Sequence, residues 1–190
     1  MTDYSWAGPG RQPDGFVDLY SSAKVAIAEE HWVVHEGLAF TANHKFTSVA
    51  NSSSVDLLLI NPAGNYPHIH VYDIACGRGD VDVLVYEDPT ASANGTEITP
   101  GNPNRNSSNT PTLTMFHTPT ITDVGTLLSQ VWLPPTATGV GQQAGIFLSP
   151  AGTEWILAPS KSYLIRVTNN SGATISIWER IMFYELNGFG

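Results

Sequence analysis

Cysteine is almost absent from this chain. Cys76 stands alone among 190 residues, so no internal disulfide can form and a disulfide-stapled secreted scaffold is excluded. Its place in an apolar run suits a buried thiol that acts as a small hydrophobe. Charge is scarce as well: only 13% of residues are charged, with 8 basic against 17 acidic and a net charge of −9. Phosphate binding needs clustered Lys and Arg. Here the basic residues are scattered, which argues against nucleic acid as a partner. No apolar run approaches the roughly 20 residues of a membrane helix. The start is polar, rich in Gly and Pro, and lacks the apolar core of a signal peptide. The expectation is a chain without a membrane partner or a secretory route, in which the sequons at Asn51, Asn94 and Asn106 carry no meaning.

Catalytic signatures are missing too. There is no Gly-x-Ser-x-Gly elbow, and Cys76 has no protease signature around it. His31 and His35 are four apart, but the His-Glu-x-x-His order is absent and Trp32-Val33-Val34 between them reads as strand. His68-Ile69-His70 puts two imidazoles on one face of a strand, as metal-binding cupins do. The Glu that should follow is missing: Asp73 comes too early, and the next Glu is Glu87. Glu29/Glu30 and Glu87/Asp88 lie at element ends, where carboxylates are ordinarily solvated; a glycosidase would need two of them across a cleft. Arg78-Gly79-Asp80 spells an integrin-type tripeptide but reads as turn chemistry. No enzyme activity, cofactor or metal is expected.

What is present, and abundant, is strand signal interrupted by turn chemistry. The clearest feature is a repeat about thirty residues apart. Tyr86-Glu-Asp-Pro-Thr-Ala-Ser-Ala-Asn-Gly-Thr-Glu-Ile is matched by Phe116-His-Thr-Pro-Thr-Ile-Thr-Asp-Val-Gly-Thr-Leu-Leu. In each copy a strand ends in an aromatic residue, proline stops the pairing, and glycine turns the chain into a new extended segment. Two copies are too few for a solenoid. They read as equivalent strand-turn units placed side by side.

Residues 1–28 form an extended N-terminal arm, with Tyr4, Trp6, Phe16 and Tyr20 spaced through it as anchors for its own domain or for a neighbour. Ser22 to Glu30 is the only helix candidate. From residue 29 to 190 the chain reads as a single β-sandwich domain. Strands are expected at His31–Glu36, Leu38–Phe46 and Val55–Ile60, the last buried on both faces. Others follow at His68–Ala75, Asp80–Glu87, Thr112–His117 and Thr126–Leu133. The last third adds Gly145–Leu148, Glu154–Leu157, Tyr163–Val167 and a long strand with Ile175, Ile177, Ile181 and Phe183 on one face. Residues 94–109 and 134–145 read as long polar loops, commonly binding elements. About ten strands with long connections favour an antiparallel jelly-roll or Greek-key sandwich.

The repeat and the C-terminal strands resemble small jelly-roll structural proteins of tailed bacteriophages, the capsid decoration or cement proteins and related head proteins. The residues that carry the likeness are Tyr86-Glu-Asp-Pro-Thr with Asn94-Gly-Thr, Asn102-Pro-Asn-Arg-Asn-Ser-Ser, and Pro119-Thr with Gly125-Thr. Trp155-Ile-Leu-Ala-Pro, Tyr163-Leu-Ile-Arg-Val-Thr-Asn and Phe183-Tyr-Glu complete them. The resemblance implies a non-enzymatic virion protein, made in the host cytoplasm and placed on the capsid exterior, often as a homotrimer. Its partner would be the major capsid protein. The arm and the loop residues Asn104, Arg105 and Asn106 are the expected contacts. A receptor- or glycan-binding sandwich of a head or tail fibre is the alternative, with Tyr66, Trp132 and Trp155 as stacking platforms.

Overall fold

The structure is a computed structural model. It describes residues 31–77, 79–135 and 154–186 with their side chains, and residues 16–17, 24–25, 29–30 and 144–148 by their backbone. β1 (Phe16–Val17) pairs with β2 (Lys24–Val25), and α1 (Glu29–His35) follows. The sandwich is built from β3 (Ala39–Val49), β4 (Ser54–Ile60), β5 (Pro67–Cys76), β6 (Val81–Glu87), β7 (Thr90–Ala93), β8 (Thr96–Ile98) and β9 (Thr114–His117). It continues with β10 (Thr120–Asp123), β11 (Thr126–Leu133), β12 (Ala144–Leu148), β13 (Trp155–Ile156), β14 (Ser162–Asn169) and β15 (Ile175–Glu185).

All ladders are antiparallel. One sheet has the order β11-β6-β14-β4-β9-β8; the other has β12 and β13 along β5, then β15 and β3. The expected sandwich is therefore the observed one. Alternation fills the space between the sheets: Leu57, Leu59, Val83, Tyr163, Ile165 and Val167 from one, Phe40, Ile74, Ile177, Ile181 and Phe183 from the other. Leu57, Leu58 and Leu59 are all buried, as the continuous apolar run of β4 requires of a strand covered on both faces.

The two copies of the repeat are related by an internal two-fold. Glu87 pairs with Thr126, and thirty residues on His117 pairs with Thr96. Thr90 pairs with Asp123, Ala93 with Thr120 and Ala91 with Ile121. The copies are not side by side, because β14 and β4 stand between β6 and β9. Each copy instead crosses that central pair to reach the far edge. The turn out of the sheet is made at Asp88 (φ 56°) and Thr118 (φ 55°). β7 and β10 then pair as a strap. Adjacent strands lie about 4.8 Å apart, so the step from β6 to β8 spans about 19 Å, within reach of the intervening residues. Under the strap Leu58 and Leu164 point away from the core, yet they are 2% and 0% exposed.

Three local expectations are corrected. His31–Glu36 is not a strand: α1 runs to His35, and the helix predicted over Ser22–Glu30 gives way to β2 at Lys24–Val25. Gly37 (φ 69°) ends α1 with a six-to-one and five-to-two pair of hydrogen bonds, Leu38 N to Val33 O at 2.9 Å and Gly37 N to Val34 O at 3.0 Å. Residues 94–109 are not all loop, since β8 lies within them.

Candidate functional site

The two long sides of the sandwich differ. On the β3 side the sheets are stitched together. Thr41 and Gly101 exchange two backbone hydrogen bonds of 2.8 Å, and the rings of His44 and His117 stack at 3.7 Å. On the opposite side β11 and β13 bound the sandwich, and between them an apolar cavity of about 300 Å3 enters the core. Its floor is Leu59, Val83, Ile165 and Ile181; Ser129, Val131, Trp155 and His70 stand toward its rim.

Two β-bulges lie along the walls. On β5, Val71 faces Met182 and Ile69 faces Phe183, so His70 is the extra residue. On β11, Leu127 faces Tyr86 and Ser129 faces Val85, which makes Leu128 the extra residue. A bulge bends its strand and re-aims the side chains beside it. The bulge at His70 interrupts the simple alternation expected of the His68–His70 pair.

Glu154 gathers the polar groups at this end. His68 Nδ1 is 3.0 Å from Oε2 and His70 Nδ1 is 4.0 Å from Oε1. The Tyr184 hydroxyl donates to Oε1, and its ring stacks on His68 at 4.7 Å. Among the described residues no group of three or more His, Cys, Asp or Glu could hold a metal ion. α1 lies on the outer face of the same sheet, where Val33 packs with Ala39 and Tyr184.

All the large apolar side chains that stand exposed among the described residues sit on these two edge strands. Leu127 is 49% exposed, Leu128 40% and Trp132 55% on β11; Trp155 is 38% and Ile156 59% on β13. Trp132 is held by a hydrogen bond from Nε1 to Asp80 Oδ1, 3.1 Å.

Of the residues singled out from sequence, Trp132 and Trp155 stand on these strands, and the described arm and loop contacts do not. Tyr4, Trp6 and Tyr20 lie outside the described residues. Phe16 is in β1, paired with Val25. Asn104 donates to the His35 carbonyl at 2.8 Å and its Oδ1 accepts from Asn106 N at 3.1 Å, so both asparagines hold the loop under the end of α1. Arg105 is exposed and reaches Asn102 O at 3.3 Å. Of loop 134–145, residues 136–143 lie outside the described residues, as does Arg78. Tyr66 is half-buried.

The sequence reading missed one buried carboxyl. Glu179 is 0% exposed and sits on the inward face of β15 between Ile177 and Ile181. The Tyr72 hydroxyl donates to Oε2 at 3.1 Å, while Oε1 has no hydrogen-bond partner. Burial pushes its pKa up to about 8, against the pull of the Tyr72 bond and with a smaller push from Asp56. It is protonated at neutral pH, which suits an apolar surround. Burial likewise lowers the pKa of His44, with His117 adding to it.

No family model, curated protein or solved structure matches the chain.

Proposed function

We propose that the chain is a non-enzymatic virion structural protein, a decoration or cement module that binds the outer surface of a phage head and holds neighbouring major capsid subunits together. The observation that supports this reading is the confinement of the exposed large apolar side chains to β11 and β13. Exposed apolar side chains along a sheet edge suit a surface for a partner, and sheet edges offer unpaired backbone groups as well. Low charge and hydroxyl-rich strands fit a chain that works inside an assembly.

The test is co-sedimentation with undecorated head shells. Wild type should pellet with the shells. Leu127→Asp combined with Trp132→Asp should stay folded by circular dichroism and remain in the supernatant. Attachment of the double variant at wild-type occupancy would sink the edge reading. Deleting residues 1–20 tests the arm in the same assay, and undiminished attachment would remove the arm from the contact.

A fibre module that binds glycans is the second reading. The fixed, exposed ring of Trp132 favours it, because aromatic faces stack on sugars. A glycan array separates the two.

A further inference from the structure

We infer that the cavity between the sheets is a binding site for a small neutral apolar molecule, one or two fused rings or a short aliphatic chain with one hydrogen-bonding group. This is independent of the shell reading above. The space is flanked by regular elements of the fold, with a strand-bending bulge on each wall, at His70 and at Leu128. Water is a poor occupant. A held water needs two to four polar partners, and Leu59, Val83, Ile165 and Ile181 on the floor offer none. Leaving the space empty is costly too, because the side chains that line it then lack packing partners on that side.

The shape of the site sets the ligand class. A cavity of about half this size takes a six-carbon ring, so about ten to twelve heavy atoms fit here. Toward the rim the polar side chains are His70 and Ser129, with Glu154 beyond; deeper in the lining the Tyr72 hydroxyl is engaged with Glu179 and the Tyr163 hydroxyl accepts from Ala158 N. An apolar body therefore goes inward and a polar head stays at the mouth. A charged head is disfavoured in two ways: the Glu154 carboxylate repels an anion at the mouth, and the partly buried rim strips some of the hydration that a charge needs.

The test uses indole, 1-octanol and octanoate, titrated into the wild-type chain by calorimetry and by chemical-shift mapping. Indole and octanol should bind, with shifts centred on Val85, Val131, Leu157 and Ile165. Octanoate should bind at least about tenfold more weakly than octanol. Val85→Phe places a ring in the space; it should weaken indole binding at least about tenfold and raise the melting temperature. Failure of wild type to bind either neutral probe overturns the proposal, and so does indole binding that Val85→Phe leaves unchanged. A lowered melting temperature for Val85→Phe also overturns it, since the space would then already be filled by the chain itself.

Discussion

Gly95 and Gly125 occupy equivalent places thirty residues apart, and each is pressed against the strand end of the other copy. A Cβ on Gly95 would lie 2.3 Å from the His117 carbonyl oxygen; one on Gly125 would lie 2.2 Å from the Glu87 carbonyl oxygen. Both glycines have positive φ, +90° and +80°. The internal two-fold thus rests on two close backbone approaches that only glycine permits.

Alanine at either glycine should therefore destabilise the sandwich by about 2 kcal/mol or more, with the two costs similar. Gly64 is the control: its φ is +75° but nothing lies within 4 Å of the added Cβ, so Gly64→Ala should show only the left-handed penalty of about 1 kcal/mol. Urea denaturation of the three variants decides this. Equal costs at Gly64 and Gly95 would remove the close approach from the account.

Glu179 ties stability to pH. Its pKa is about 8 in the fold against an ordinary 4.5, so between those values the native state binds more protons than the unfolded one. Stability is then fully present below about pH 4.5 and falls as pH rises toward 8, by an amount on the order of 4 kcal/mol. Glu179→Gln should flatten that slope and leave the variant more stable than wild type at pH 8. An unchanged slope in melts from pH 5 to pH 8.5 would contradict it.

His44 acts in the other direction. Its lowered pKa means that the unfolded state takes up the proton first, so stability falls as pH drops below about 6.5. His44→Gln should weaken that acid limb without touching the alkaline one. A double variant with Glu179→Gln should then be nearly flat across both windows if the two groups are the main sources of the dependence.

Glu185 joins the end of β15 to the start of β9. Its carboxylate is buried and accepts hydrogen bonds from Leu113 N at 2.8 Å, Thr112 N at 2.9 Å and Asn65 Nδ2 at 3.1 Å. Glu185→Ala strands these donors and should cost about 3 kcal/mol. Glu185→Gln should recover part of the loss, since one carbonyl oxygen remains. Full stability in Glu185→Ala would mean that the donors find other partners.

Much of this architecture was legible from residue patterns. The alternation of Tyr163, Ile165 and Val167 gave β14 its faces, and the run Leu57-Leu58-Leu59 announced a strand covered on both sides. Glu179 was missed although the signal was there: Ile177-Trp178-Glu179-Arg180-Ile181 sets it on the apolar face by simple counting. α1 was hidden by the β-branched pair Val33-Val34, although Gly37 is a helix-stop signal. The open side was not legible. A bulge such as those at His70 and Leu128 is a one-residue offset between distant strands, and the joint approach of His68, His70 and Tyr184 to Glu154 depends on pairings far apart in sequence.

The most direct test of the central claim, that the β11 and β13 edge docks on a shell, is cryo-EM of undecorated head shells mixed with the purified protein. The account predicts ordered density at fixed lattice positions, with Leu127, Trp132 and Ile156 turned against shell subunits. A bare lattice, or decoration in which that edge faces solvent, would contradict it.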